Sequence, residues 1–247
     1  AVTFAAGLAS ESKKPVVAIY STFLQRAYDQ LIHDVALQNL NVTFAIDRAG
    51  LVGEDGPTHS GNFDIAYLQC VPNMVIASPS NENETRKLLS SVYKYEGPAA
   101  VRYPRGQGPG EKIERDLETV KIGKANLLEK GSSELIMLNF GSLLNHAIKV
   151  AKKYNMTLID MRFIKPFDEG ILKKYSNAKW FVTIEDGSLI GGIGSTIANW
   201  VTKQNLKTQV KCFGIPDKFI EHMSREQMIK EAKLDYESII KELDKIF

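Results

Sequence analysis

The chain has 247 residues, of which 44% are apolar and 24% are charged, and its net charge is +2. This length and composition are typical of a globular protein with one or two domains. The near-neutral charge excludes a general affinity for nucleic acid or for an anionic membrane, so any anion site must be local.

Strand and helix signals alternate along the first part of the chain. Short runs rich in β-branched and aromatic residues predict four strands, at 16–20, 42–46, 74–77 and 99–103. Apolar residues at i, i+3, i+4 and i+7 predict a helix from Tyr28 to Val35. A further helix begins within "SPSNENETRKLL", with Ser80 or Asn81 as its N-cap and acids in its first turn.

A change of composition separates this part of the chain from the next. The segment 104–116, "PRGQGPGEKIERD", has two prolines and three glycines, which indicates a linker or a long loop. Strand signals resume at 134–140, 156–161, 180–185 and 210–215, and a last helix is predicted near 236–247. Repeated strand–helix–strand order predicts mostly parallel sheets covered by helices on both faces. We therefore expect two three-layer α/β domains, at 1–116 and 117–247.

Membrane, secretion and metal signals are weak. No apolar run approaches the roughly 20 residues that cross a bilayer, and no secretion signal is visible. Cys70 and Cys212 lie far apart and have no metal-site spacing, so we expect two buried thiols in a reducing environment. The expectation is a cytoplasmic protein with no membrane partner, no nucleic-acid partner and no metal ligands of its own.

The loops that follow the strands hold the candidate binding residues, because ligands of open α/β sheets bind at the carboxyl ends of strands. The segment "YSTFLQR" places Tyr20, Phe23 and Arg26 around a helix start. Two aromatic faces and a flat cation suit a planar heteroaromatic ligand. The alternative is that Tyr20 and Phe23 pack beneath the helix.

Charged residues in later loops suggest a phosphate site. Arg48 and Arg105 each follow a predicted strand, and if those strands are neighbours their guanidiniums would bind one phosphate; otherwise they are separate surface charges. In the Gly-rich loop "GLVGEDGPTHSG", Asp55 and His59 lie four residues apart. An acid can orient an imidazole for proton transfer, although a simple loop hydrogen bond is the alternative.

The segment "EDGSLIGGIGS" at 185–195 contains a GxG pattern after a predicted strand. Ile197 occupies the position where a dinucleotide fingerprint requires its third glycine. The segment therefore indicates a tight strand-to-helix crossover rather than a nicotinamide site. His33, His146 and His222 have no accompanying cluster and are interpreted as structural.

Longer motifs carry a family resemblance. "STFLQRAYDQ", "IDRAGLVGEDGPTH", "GPAAVRYPRG", "FIKPFD", "TIEDGSLIGGIGS" and "GIPDKFIEH" resemble the 1-deoxy-D-xylulose-5-phosphate synthases, which are transketolase-like enzymes dependent on thiamine diphosphate. "GEDGPTH" also occurs in transketolases, whereas "STFLQRAYDQ" and "IDRAGLVG" favour the synthases. The resemblance covers essentially the whole chain and implies a pyrimidine-binding domain at 1–116 followed by a transketolase C-terminal domain at 117–247.

The resemblance implies an activity and its partners. Enzymes of this family join pyruvate to D-glyceraldehyde 3-phosphate with loss of CO₂, and the product serves isoprenoid, thiamine and pyridoxal synthesis. The implied cofactors are thiamine diphosphate and Mg²⁺, and the implied assembly is a homodimer. The domain at 117–247 is expected to support the other domain and to form part of the dimer interface.

The resemblance also implies roles for the side chains singled out above. Phe23 would stack on the aminopyrimidine ring of the cofactor, with Arg26 beside it. Asp55 and His59 would face the reacting carbons, and His59 or a neighbouring residue would donate a proton to the alkoxide that forms there. Three side chains would hold the phosphate of the aldehyde substrate: Tyr20, Arg48 and Arg105.

The resemblance has one important departure. The family places Glu-Gln-His immediately before the segment "AVTFAAG", and its diphosphate and metal ligands lie on an N-terminal domain. This chain begins at Ala1. We therefore expect a C-terminal portion of such an enzyme that neither binds Mg²⁺ nor turns over alone. The alternatives are a β-type subunit of a 2-oxo acid dehydrogenase or split transketolase, and a non-enzymatic module left by truncation.

Overall fold

The computed structural model describes residues 1–116 and 118–247. These residues form two five-stranded, mostly parallel sheets covered by helices. The predicted α/β class is thereby confirmed. Among the described residues, no helix is both long and apolar enough to cross a membrane.

The first sheet has the strand order β1-β2-β4-β3-β8. Its strands are β1 (Val16–Tyr20), β2 (Thr43–Asp47), β3 (Val75–Ala77), β4 (Ala99–Arg102) and β8 (Phe163–Lys165). All pairings are parallel except that of β3 with β8, which is antiparallel. Because β1, β2 and β4 are neighbours, the loops that follow them leave the same edge of the sheet.

Helical segments surround this first sheet, and two of them test the sequence predictions. The segment from Tyr28 to Val35 is helical as predicted, but from Leu31 to Ala36 the helix is a π-helix. Its apolar residues Leu31 and Val35 are fully buried. Asn81 caps the helix that follows β3, since its side chain accepts the Glu84 N–H at 2.9 Å. The segments are α1 (Val2–Ser10), α2 (Ser21–Leu24), a 3-10 turn (Gln25–Ala27), α3 (Tyr28–Gln30), the π-helix, 3-10 turns at Gly53–Asp55 and Pro57–His59, α4 (Asp64–Gln69) and α5 (Glu82–Lys94).

The second sheet has the order β10-β9-β6-β7-β5. Its strands are β5 (Asn126–Glu129), β6 (Ser132–Phe140), β7 (Met156–Asp160), β9 (Trp180–Ser188) and β10 (Gln209–Ile215). Only the pairing of β5 with β7 is antiparallel. Its helices are α6 (Leu144–Lys153), α7 (Glu169–Lys174), α8 (Ile193–Lys203), α9 (Arg225–Glu231) and α10 (Tyr236–Leu243).

Two structural details differ from the expectations. Strand β8 follows the predicted boundary at 116/117 yet pairs with β3 in the first sheet, so residues from both sides of that boundary build one sheet. The expectation of two buried thiols is wrong for Cys70, which is exposed, whereas Cys212 is half-buried. The Cys70 Sγ lies 3.2 Å from the Tyr28 hydroxyl.

A buried ion cluster joins the two sheets. Arg102, at the end of β4, is fully buried, and its Nε donates to Asp64 Oδ2 at 3.0 Å. Its Nη1 forms an ion pair with Asp186 on β9 of the second sheet. The second oxygen of Asp186 accepts the Ser142 hydroxyl at 2.5 Å. Burial alone would raise the pKa of Asp186, but the Arg102 guanidinium and the Ser142 hydroxyl hold it below its ordinary value.

Removing Arg102 should destabilise the protein strongly. Arg102→Ala leaves Asp64 and Asp186 buried without a counter-charge, and we expect the free energy of unfolding to fall by about 3–5 kcal/mol. Urea denaturation followed by circular dichroism measures this change. Arg115→Ala, which removes the same charge from an exposed position, is the matched control and should change stability by less than about 0.5 kcal/mol. Similar losses in both variants would contradict the role of the cluster.

Candidate functional site

Aromatic rings meet at the carboxyl edge of the first sheet. Tyr20 and Phe23 stack with their ring centroids 5.4 Å apart and an interplanar angle of 13°. The His59 ring lies edge-on to Phe23, with centroids 5.6 Å apart. Phe23 is 40% exposed, so it does not pack beneath the helix and its ring is open to a ligand.

The two arginines converge at the same edge. The Arg48 guanidinium carbon lies 4.1 Å from the centroid of the Tyr20 ring, and Arg48 Nη1 forms an ion pair with Asp55. Arg105 Nε lies 3.3 Å from the same Asp55 oxygen. The adjacency of β2 and β4 therefore brings Arg48 and Arg105 to one carboxylate, as expected if the strands are neighbours.

Arg48 itself has an unusual backbone conformation. Its φ is 56°, in the left-handed region that residues with a side chain rarely adopt. Its N–H donates to Asp47 Oδ1 at 2.7 Å, which supports the turn that follows β2. A strained residue persists only where the surrounding structure holds it in place, and such residues cluster at ligand sites.

Glycines close the loop that carries Asp55 and His59. The N–H of Gly50 donates to the Gly61 carbonyl at 2.7 Å, and the N–H of Gly61 donates to the Gly50 carbonyl at 2.9 Å. A Cβ at Gly61 would lie 2.0 Å from the Arg48 carbonyl oxygen, so only glycine fits there. The residues between Gly50 and Gly61 form what we call the bridged loop.

The second half of the chain supports the bridged loop from outside. The Gly53 N–H points to Met228 Sδ at 3.2 Å. A Cβ at Gly56 would lie 3.0 Å from the Cβ of His222. Sequence reasoning assigned no role to Met228 and treated His222 as generally structural, because neither residue belongs to a recognisable cluster along the chain.

Asp55 and His59 lie in the bridged loop with different partners. Asp55 contacts the two arginines, whereas His59 Nδ1 lies 2.9 Å from the Thr58 hydroxyl. Within residues 1–116 and 118–247, the structure contains no hydrogen bond between Asp55 and His59. The structure therefore shows no orientation of the His59 imidazole by Asp55, and the catalytic roles of both residues stay predictions.

A cleft opens beside the exposed face of Phe23. It has a volume of about 310 Å³, and its lining includes Phe23, Arg26, Phe63 and Phe219. Arg26 is exposed at its rim. A larger cavity of about 470 Å³ lies between the segment 104–113, the start of α5 and Arg225, and it contains none of the predicted site residues. Over the described part of the chain, no group of three or more His, Cys, Asp or Glu is placed to hold a metal ion.

The start of α8 already holds a carboxyl side chain of this protein. Glu185 is fully buried, and its two oxygens accept the N–H groups of Ile193 at 3.0 Å and Gly194 at 2.8 Å. In a dinucleotide-binding protein, a ligand phosphate occupies this kind of position. The GxG segment is thus the strand-to-helix crossover that the sequence predicts, and the structure adds that Glu185 accepts two of its N–H groups.

Comparisons with protein families match almost the whole chain. Residues 1–110 match the family model for the transketolase pyrimidine binding domain, and residues 123–239 match that for the transketolase C-terminal domain. The chain is 55% identical over 246 residues to the 1-deoxy-D-xylulose-5-phosphate synthase of Hahella chejuensis (strain KCTC 2396) and 53% identical over 244 residues to that of Marinomonas sp. (strain MWYL1). These matches cover 99% of this chain but 38% and 39% of the relatives, so the chain spans less than two fifths of their length.

Solved structures have the same fold. A split-gene transketolase, solved as an inactive β4 tetramer, superposes with a TM-score of 0.85 at 25% identity and covers 98% of this chain and 78% of that one. A transketolase from Campylobacter jejuni subsp. jejuni NCTC 11168 gives a TM-score of 0.72 at 17% identity over 93% of this chain and 35% of that one. The second likeness shows the fold alone.

Glu185 should make the stability of the chain depend on pH. Burial raises its folded pKa to about 7, above an unfolded value of about 4.3, so the folded state binds the proton more tightly. The stabilisation is complete below the unfolded pKa and disappears as the pH rises through 7. Relative to Glu185→Gln, the free energy of unfolding of the wild type should fall by about 4 kcal/mol as the pH rises from about 4 to above 7.

Urea denaturation at several pH values measures that difference. Glu129→Gln removes an exposed carboxylate and should show no such trend relative to the wild type. A free energy of unfolding of the wild type, relative to Glu185→Gln, that stays constant or rises with pH would contradict the raised pKa of Glu185.

Proposed function

This chain belongs to the transketolase family, with its pyrimidine-binding and C-terminal domains in order, and we propose that it is part of an enzyme that makes 1-deoxy-D-xylulose 5-phosphate. The substrates would be pyruvate and D-glyceraldehyde 3-phosphate, with loss of CO₂. The observation that carries the proposal is the convergence of Arg48 and Arg105 on one carboxylate beside the exposed Phe23 ring. The identity to named synthases, 55% and 53%, supports the same reaction.

The aromatic cleft fits part of the cofactor. Phe23 offers an exposed ring that Tyr20 supports from one side, and a planar pyrimidine can stack on such a ring. Arg26 would lie beside that pyrimidine. When bound, thiamine diphosphate supplies the carbanion chemistry that decarboxylates pyruvate and attacks the aldehyde. The residues of the cleft would orient the ring and exclude water from it.

The arginine pair would position the second substrate. Arg48 and Arg105, with Tyr20 beneath Arg48, would bind the phosphate of D-glyceraldehyde 3-phosphate by charge-assisted hydrogen bonds. Because the phosphate is remote from the aldehyde carbon, this binding energy would fix the carbonyl in place. His59 would give a proton to the alkoxide that forms there, and Asp55 would hold the two arginines together.

Mg²⁺ does not fit the described residues of this chain, which contain no candidate group of metal ligands. We propose that another part of the longer protein holds the metal ion and the diphosphate, and that the chain alone does not turn over. The split-gene transketolase β4 tetramer is inactive, which supports the second point. The proposed setting is a cytoplasmic homodimer; the exposed apolar side chains Phe4, Leu8 and Leu37 support an interface near α1.

A second candidate is a β-type subunit of a split transketolase or a 2-oxo acid dehydrogenase. The likeness to the split-gene transketolase, which covers 78% of that chain, favours it over a non-enzymatic module. Native mass spectrometry of the protein from its source separates the three cases. A much longer polypeptide is the result expected here, a separate co-purifying diphosphate-binding subunit would favour the second candidate, and a lone polypeptide of this length would favour the module.

Removing either arginine should weaken the binding of D-glyceraldehyde 3-phosphate but not that of pyruvate. In the enzyme that joins this chain to its diphosphate-binding domain, Arg48→Ala or Arg105→Ala should raise KM for D-glyceraldehyde 3-phosphate about 10- to 100-fold, since each removes a hydrogen-bonded charge. KM for pyruvate should change little, and Arg115→Ala should match the wild type. Steady-state kinetics with each substrate varied in turn provides the measurement. Equal losses for both substrates would argue against a phosphate site.

A further inference from the structure

The candidate phosphate site contains as many acids as arginines. Asp55 contacts Arg48 and Arg105, and Glu54 Oε2 lies 2.8 Å from Arg105 Nη1. Two positive and two negative charges are therefore in direct contact. A phosphate that approaches this cluster meets guanidiniums whose charge is already balanced, so it must displace a carboxylate in order to bind strongly.

The two acids are held to different degrees. Asp55 bridges both guanidiniums, and its side chain is 21% exposed, whereas Glu54 has one ionic partner and a side chain that is 68% exposed. A hydrogen bond from its own backbone and a second from Arg105 hold the pKa of Glu54 below its ordinary value, so Glu54 is anionic at neutral pH. Exposed single ion pairs are weak. Glu54 is therefore the acid that yields to a ligand.

We propose that Glu54 occupies Arg105 and competes with a phosphate monoester for it. The inference rests on the proposed function, because it assumes that Arg48 and Arg105 form the phosphate site. When the ligand binds, the Glu54 carboxylate moves from Arg105 Nη1 to solvent; when the ligand leaves, it returns. Glu54 thereby weakens the binding of the phosphorylated substrate and eases the departure of the product, which carries the same phosphate.

Direct binding measurements test this competition. The probe is sn-glycerol 3-phosphate, which has the phosphate monoester but no reactive aldehyde, and glycerol is its uncharged control. Isothermal titration calorimetry would compare the wild-type chain with Glu54→Gln, which removes the charge and keeps the size. We expect Glu54→Gln to lower the Kd about three- to fivefold, the effect of one exposed ion pair. Glycerol should bind to neither protein.

Two further variants make the test specific. Glu96→Gln removes an exposed carboxylate beyond the end of α5, near the opposite edge of the sheet, and should leave the Kd unchanged. Arg105→Ala should raise the Kd at least about tenfold. In the Arg105→Ala background, Glu54→Gln should not change the Kd further, because both substitutions remove the same ion pair.

The outcomes separate the two proposals. Suppose that Arg105→Ala weakens binding but Glu54→Gln has the same Kd as the wild type, or that Glu54→Gln lowers the Kd even in the Arg105→Ala background. In either case the proposed competition is wrong and the phosphate site stands. If Arg105→Ala leaves the Kd unchanged, or the wild type and Glu54→Gln both fail to bind the probe, the phosphate role itself is overturned. Circular dichroism of each variant confirms that the fold is retained.

Discussion

The buried contact of Arg102 with Asp64 and Asp186 is the constraint on which the rest of the structure depends. A charged group is stable in a protein interior only where its partners are correctly placed. Arg102 ends β4, three residues before Arg105, and Asp64 begins α4, shortly after the bridged loop closes at Gly61. The cluster therefore fixes the backbone on both sides of the candidate site and ties it to β9 of the second sheet.

The second half of the chain takes part in shaping the site. Met228 and His222 contact the glycines of the bridged loop, and Ser142 extends the Arg102 cluster through Asp186. Strand β8 completes the first sheet. A loop rich in glycine has many conformations in the unfolded chain, so these outside contacts select the one in which Asp55 meets both arginines.

Local pattern was a good guide to the strands that pair in parallel and a poor guide to the two that pair only antiparallel. All eight strands that the sequence predicts are present, because buried parallel strands are continuous apolar runs. The two that it does not predict, β5 and β8, are short antiparallel edge strands with four and three residues. Segments of that length have no readable period, and their pairing depends on distant partners.

The sequence by itself determined the α/β class and narrowed the N-cap of α5 to Ser80 or Asn81. It also determined which candidate binding residues lie at or just after strand ends: Tyr20, Phe23, Arg48 and Arg105. The motifs of the sequence also showed the resemblance of the chain to a known family. Only the tertiary structure decided that β1, β2 and β4 lie side by side, that Asp55 bridges the arginines with no hydrogen bond to His59, and that Arg102 is buried. Strand order and ion pairing join residues far apart in the chain, and no local periodicity records which of them meet.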